Sequence, residues 1–281
     1  SGKQIILTTK GSGAYTNGFP LKNTSASVAT NGAYMVIKPG THVLRVRYWV
    51  KDIVTNVEGT ITKILSSYNY AKNTYYDMTA NLNVKDYDGD HYYQWDAQKQ
   101  YWDGYEWTKN LANGQPTLNG NSSSNYAQNN SDPRWYNEGN GPLQATQTCA
   151  TLPNANEMSW YAMYGDPRWD ADELWTTMGH LYKGGMWFKK KAYISGYNSN
   201  TAVDGIDWRT NGNSNTWPAS QTLPSAADAN KYFYLPALGL YTDGRLKYVG
   251  DNGRYWSSSA DPRGSYGAYY LSFGSSYVFV L

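Results

Sequence analysis

The stretch Gly253-Arg254-Tyr255-Trp256-Ser257-Ser258-Ser259, followed by Ala268-Tyr269-Tyr270-Leu271-Ser272-Phe273 and Tyr277-Val278-Phe279-Val280, decides how the second half of this chain folds. All three runs are short, rich in aromatic or β-branched residues and bounded by Gly, Ser or Asp. They read as strands, the last two joined by Gly274-Ser275-Ser276. Trp256, Leu271, Phe273, Val278 and Val280 have spacings suited to a core. Between and beside them stand Arg254, Tyr255, Asp261, Arg263, Ser265, Tyr266, Tyr269, Ser272, Ser276, Tyr277 and Phe279, the candidate ligand-contacting residues. Rings give contact area at low entropic cost, small polar groups adapt, and Tyr and Arg dominate binding hot spots. The alternative is an ordinary polar sheet face filled in by Tyr, since the chain holds 28 of them.

Further back, Tyr232-Phe233-Tyr234-Leu235-Pro236 and Met186-Trp187-Phe188-Lys189-Lys190-Lys191-Ala192 read as short strands, the lysine run as a solvated guard on an edge strand. Asn154 with Glu157 three residues on is a capping signature. It predicts a helix through Met163 that places Met158, Tyr161 and Ala162 on one face. A second helix is predicted from Asp170 to Gly179, with Asp170, Asp172 and Glu173 at its start and Gly179 as its stop. The Asn/Gly/Ser-rich stretch from Leu111 to Gly141 predicts a long surface excursion pinned by Trp135 and Tyr136.

The first part of the chain alternates as half-buried strands do, at Gln4 to Thr8, Ala33 to Lys38, Thr41 to Lys51, Gly59 to Leu65 and Tyr75 to Val84. Lys38-Pro39-Gly40-Thr41 predicts a hairpin between the second and third of these runs. In the third run Leu44, Val46, Tyr48 and Val50 form the expected core face, opposite Val43, Arg45, Arg47 and Trp49. Composition changes around Asp86-Tyr87-Asp88-Gly89-Asp90. The 281 residues therefore divide into an expected all-β domain over 1–87 and a mixed α+β domain with long loops over 88–281.

Composition narrows the function classes. With 24 Lys+Arg against 22 Asp+Glu, and basic residues scattered, the chain lacks the basic face that nucleic acid requires. No apolar run approaches the ~20 residues that span a bilayer, so a soluble chain without membrane insertion is expected. Cys149 is the single cysteine, which excludes an intrachain disulfide and a multi-cysteine zinc site. Ser1-Gly2-Lys3 reads as a trimmed or processed start without a signal peptide.

Several pieces, in order, resemble the C-type-lectin-like domains of formylglycine-generating-enzyme-like proteins and of the variable proteins of diversity-generating retroelements. They are Tyr92-Tyr93-Gln94-Trp95-Asp96, Leu152-Pro153 leading into Asn156-Glu157-Met158-Ser159-Trp160-Tyr161, Tyr234-Leu235-Pro236-Ala237-Leu238-Gly239, and the strands quoted first. The first domain, with Gly40 to Val50, is similar to the fimbrillin-like (transthyretin-like) β-sandwich of Bacteroidetes pilus subunits. The two resemblances imply a pilus-associated or cell-surface adhesin. Its C-terminal lectin-like face, a diversified variable region, would bind a protein or glycan ligand on another cell, host or phage surface. A structural pilus subunit that contacts other subunits and has no ligand of its own is the alternative they leave open. Members of the lectin-like group commonly end on a Gly-Phe-Ser-Val-Arg-like strand. This chain stops at Val278-Phe279-Val280-Leu281, so either its end is built differently or that strand is missing.

Catalytic patterns are sparse. The formylglycine-type chemistry needs paired cysteines, and Cys149 stands alone with only His42, His91 and His180 as bases in the chain. Gln115-Pro116-Thr117 lacks the acid of the lectin calcium motif, and the alternating acids at Asp86 to Asp90 are the one stretch suited to a cation, or else a solvated linker turn. Asp170, Asp172 and Glu173 are the nearest acidic cluster to that of a glycan hydrolase, but a helix start accounts for them. No enzyme activity, metal or cofactor is expected. Asp-Pro-Arg recurs at Asp132, Asp166 and Asp261 and reads as a rigid turn, with Arg/Trp contact points as the functional alternative.

Overall fold

The computed structural model describes residues 4–10, 16–21, 27–138, 144–264 and 267–281. It is mostly β with few helices, 31% strand and 10% helical. The chain separates into two compact units, Ser1–Asn83 and Val84–Leu281.

The first unit holds a helical turn α1 (Val28–Asn31) and strands β1 (Gly40–His42), β2 (Arg45–Lys51), β3 (Glu58–Ile64) and β4 (Tyr68–Tyr70). The antiparallel pair β2–β3 turns at Asp52, whose carboxylate accepts the Val54 and Thr55 N–H groups at 2.8 and 3.1 Å. Arg45, Arg47, Trp49 and Lys51 are exposed, whereas Val46 and Tyr48 are half-buried and Val50 is buried, so the even face of this run points inward as its alternation predicts. The expected Lys38–Thr41 hairpin does not form. Gly40 leads into β1, whose partner is β4, and Tyr68, Tyr70 and Tyr76 pack edge to face beside that pair at 5.2–5.5 Å. Residues 4–8, 33–38 and 75–84 carry no strand pairing either. In the last run, the left-handed backbone of Asn83 (φ 54°), with the Asn83 N–H bound to the Asn81 side chain, breaks the extension. Among the described residues, two separate two-stranded sheets stand where a sandwich is expected.

The second unit opens with β5 (Lys85–Asp86), which pairs in parallel with Trp175 and Thr176. The division therefore falls after Asn83 rather than after Tyr87. Then follow α2 (Ala155–Tyr164), β6 (Arg168–Thr177), β7 (His180–Lys189), α3 (Trp208–Asn211), β8 (Asn215–Pro218), β9 (Tyr232–Pro236), β10 (Leu240–Thr242), β11 (Arg245–Lys247), β12 (Gly253–Ala260), β13 (Ala268–Gly274) and β14 (Tyr277–Val280). They form a sheet of order β5-β6-β7-β9, a sheet of order β12-β13-β14-β8 and the hairpin β10–β11. Helix α2 starts as its sequence predicts, with Asn154 accepting the Glu157 N–H at 3.0 Å and Glu157 reaching back to the Asn154 N–H at 2.8 Å. Its buried Ala155, Met158 and Ala162 join Trp169, Met186 and Phe188 from the first sheet and Leu271, Phe273, Val278 and Val280 from the second in one core.

The helix expected over 170–179 is instead strand β6. Asp170 does cap amides, accepting the Asp172 and Glu173 N–H groups at 3.1 and 3.0 Å, but those amides belong to a bulge in the ladder with β7. Met178 (φ 49°) and Gly179 (φ 78°) then turn the chain directly into β7. The lysine run guards no edge, because β7 lies between β6 and β9. Lys189 pairs with Asp166 at 3.7 Å, and the Lys190 ammonium donates to the Asn230 carbonyl at 2.7 Å. In the long excursion the principal pin is buried Arg134, not half-buried Trp135 and Tyr136. Its guanidinium forks onto Asp132 and donates to the Asn125 carbonyl at 2.7 Å, and it lies over the Tyr105 ring. The part of that stretch over 139–141 lies outside the described residues. Arg168 and Arg263 fork onto Asp166 and Asp261 in the same way, and Arg209 onto Asp207 without a proline between.

Fully buried Asp96 organises the loop that supports β12. Its carboxylate accepts the N–H groups of Thr146 (2.8 Å), Gln147 (2.9 Å) and Cys149 (3.0 Å) and the Asn137 side-chain amide (2.7 Å). On the other side of that loop the Ala145 N–H donates to the Ser258 carbonyl at 2.8 Å, and the neighbouring Trp95 indole donates to Ser257 at 2.9 Å. Asp96→Ala takes the acceptor from three backbone amides and one side-chain amide, and a loss of about 3 kcal/mol or more is expected in urea denaturation followed by tryptophan fluorescence. The Arg209 guanidinium, seconded by Asn156 and the Arg209 N–H, holds Asp207 at about 2. A carboxyl depressed in the folded state stabilises fully above its unfolded value of about 4, and that contribution is lost as the pH falls toward 2. Acid titration is expected to show stability falling across this window, with a shallower fall in Asp207→Asn.

Candidate functional site

Strand register decides which tail residues face water. Arg254, Ser272, Phe279 and Thr216 stand opposite one another across β12, β13, β14 and β8, and Gly253, Phe273, Val278 and Trp217 form the adjacent row. Successive side chains alternate faces, so one set of rows packs inward against α2 and the first sheet and the other points outward. Outward stand exposed Arg254 and Tyr277 (38% exposed), half-buried Tyr270 and Phe279, and Ser272, which its neighbours cover. The Arg254 guanidinium lies over the Tyr270 ring at 5.1 Å, and Tyr270 meets Trp256 and Phe279 edge to face at 5.8 and 6.3 Å. The Asn252 amide fixes the Tyr277 hydroxyl at 3.0 Å and the Phe273 carbonyl at 2.7 Å. The result is an aromatic face with one guanidinium, set on a rigid apolar core.

Two expected contact rings face the core. Tyr255 stacks on Phe273 at 5.9 Å and donates to the Pro236 carbonyl at 2.6 Å, and burial pushes its phenol well above the usual value. Tyr269 is wholly buried. It stacks on Trp208 at 6.2 Å, and its hydroxyl accepts the Asn213 N–H at 2.9 Å while facing the Asn213 and Trp208 carbonyls at 3.0 and 3.2 Å. Ser272 lies on the outer face but is 4% exposed, beneath Asn252. Asp261 and Arg263 form one of the Asp-Pro-Arg forks; the arginine bonds hold the Asp261 carboxyl below its usual range, and the guanidinium rests over Tyr269. Ser276 is exposed in the β13–β14 turn. Ser265 and Tyr266 lie outside the described residues.

Sequence reasoning missed Tyr270 and treated Trp256 purely as frame, although its half-buried ring edges the outer face while its indole donates to the Tyr93 carbonyl at 2.8 Å. The two-residue period of β13 could have found Tyr270: it shares a face with Ser272, whereas Tyr269 shares one with Leu271 and Phe273.

The remaining candidates have ordinary structural partners. Asp88, Asp90 and His91 bring ligand atoms within 4.8 Å of one another, but all three are exposed and one atom each falls short of the six to eight oxygens calcium takes. Asp86 is spent on the Thr176 hydroxyl at 2.7 Å. The Cys149 sulfur accepts the Asp96 N–H at 3.2 Å, and burial pushes its thiol up. Buried Asp170 also accepts the Trp187 indole N–H at 3.1 Å, Asp172 pairs with Lys183 at 3.7 Å, and burial together with the Asp170 charge raises Glu173.

Tyr255→Phe keeps the stacked ring and loses one buried hydrogen bond, so about 1 kcal/mol of stability is expected to go, against 3–5 kcal/mol for Tyr255→Ala. Paired denaturant melts check this ratio. No protein-family description matches the chain, and neither does any curated protein or solved structure.

Proposed function

We propose that this chain is a surface-displayed binding protein whose outer β12-β13-β14-β8 face grips a protein or glycan on another cell, host or phage surface. The observation that carries this reading is the outward-facing set Arg254, Tyr270, Tyr277 and Phe279, rings and a guanidinium held in place by strands whose opposite side is a packed core. Preorganised aromatic and arginine side chains on rigid elements lose little entropy when they bind, which suits recognition. The second unit corresponds in this reading to the lectin-like head, and the first to a fimbrillin-like module at a cell surface or pilus. Arg254, Tyr270, Tyr277 and Phe279 are the contact residues, Tyr255 and Tyr269 their support.

A second reading, a pilus subunit, draws on the first unit. Val50 is its one buried side chain among the described residues, while Ile6, Val36, Ile64 and Tyr75 are largely exposed and both of its sheets have two strands only. Open strand edges beside uncovered apolar groups suit strand addition from another subunit.

Glycan and surface-protein arrays probed with the wild type and with Arg254→Ala/Tyr270→Ala/Tyr277→Ala/Phe279→Ala test the proposal. The variant is expected to lose about tenfold or more in signal on the wild type's hits, with its far-UV circular dichroism and cooperative denaturant melt retained. Equal signals from the two proteins would remove the face as the binding site. Absence of array hits for both proteins, with self-association that the variant retains, would favour the subunit reading.

A further inference from the structure

Away from that face, a cleft of about 360 Å³ opens beside the first turn of α2. Tyr161, Tyr197 and Phe233 form an aromatic wall, Tyr161 meeting each of the other two edge to face at 5.5 Å. Glu157 belongs to the cleft but is already engaged. One carboxylate oxygen accepts the Tyr197 hydroxyl at 3.0 Å, the other the Asn154 N–H at 2.8 Å. Lys190 donates to the Asn230 carbonyl at 2.7 Å. Exposed Lys191, also lining the cleft, has no ion-pair or side-chain hydrogen-bond partner among the described residues.

The cleft therefore offers an aromatic wall, the unpartnered ammonium of Lys191 and a second ammonium, Lys190, held by a neutral carbonyl, while its carboxylate faces donors of its own protein. Its volume lies within the range of small-ligand sites, and polar groups make up as much of its lining as apolar ones. A free ammonium at such a wall recognises an anion, and the rings recognise a flat body carrying it. We propose that this cleft binds a carboxylate borne on a six-membered ring, with Lys191 taking the carboxylate and Tyr161, Tyr197 and Phe233 taking the ring. An aromatic acid and the uronate end of an acidic glycan share this chemistry. The site is separate from the proposed sheet face and does not depend on it.

The test is NMR titration of the full chain with 4-hydroxybenzoate, glucuronate and neutral glucose, following the Tyr and Lys side-chain resonances. At least one of the two carboxylates is expected to bind in the millimolar range, with glucose at least about tenfold weaker. Lys191→Gln is expected to weaken that binding by about tenfold, the loss of one charge-assisted hydrogen bond. Lys63→Gln, in the other unit, is expected to leave it unchanged. Binding of 4-hydroxybenzoate alone assigns an aromatic acid, and of glucuronate alone an acidic sugar. Absence of saturable shifts with both acids up to about 20 mM, equal binding of glucose, or binding undiminished in Lys191→Gln would overturn the proposal. Near-UV circular dichroism of the variant establishes that it is folded.

Discussion

A chain this rich in loops must find acceptors for backbone N–H groups that no helix or sheet satisfies, and here carboxylates supply them. A buried donor without a partner costs about as much as several good contacts return. Asp96 is the deepest instance: its two oxygens gather three backbone amides and a side-chain amide from a loop that then props β12. Asp170 does the same inside a strand bulge and Asp52 at a hairpin tip, and the neutral side-chain carbonyl of Asn154 does so at the start of α2. The buried serines of β12 belong to this economy of donors and acceptors. The Ser259 hydroxyl accepts the Ala155 N–H that opens the helix, and the Ser257 hydroxyl accepts the Ser259 N–H.

With the loops anchored in this way, the aromatic residues can act as the core. Trp102, Trp175, Trp208, Tyr269, Phe188 and Phe273 are all fully buried, and each large ring removes roughly 150–250 Å² from water. Several of the indole and phenol groups take main-chain carbonyls, Trp175 that of Gly184, Trp160 that of Thr201 and Tyr255 that of Pro236, whereas Trp208 donates to the Asp204 carboxylate and the buried Trp102 indole N–H has no partner among the described residues. The outer sheet face is firm because the inner face of the same strands is packed in this manner.

Legibility in the sequence followed the range of the forces involved. The capping box of α2 and the alternation of β2 and β3 are local, and both were readable from neighbouring residues. The acids at 170–173 suit a helix start by their charge, and Asp170 alone of them accepts amides, but the choice between a helix start and a bulge depends on β7, a partner that local pattern does not reveal. For the tail, the strands were legible and the faces were half so. Pooling Tyr255 with Arg254, and Tyr269 with Ser272, ignored the pleat that separates adjacent residues. Runs 4–8, 33–38 and 75–84 have strand-like composition yet no strand partner among the described residues, since alternation states a preference for a surface without supplying one.

β14 lies between β13 and β8, so the sheet that carries the outer face is completed by residues 277–280. Strand β8 precedes it by some sixty positions and has no other neighbour in the sheet. During synthesis, Trp217 and the inward residues of β13 must therefore wait with their apolar surface open until that late segment emerges. The outer face therefore waits on residues 277–280, whereas the sheet β5-β6-β7-β9 in the same unit needs nothing beyond Pro236.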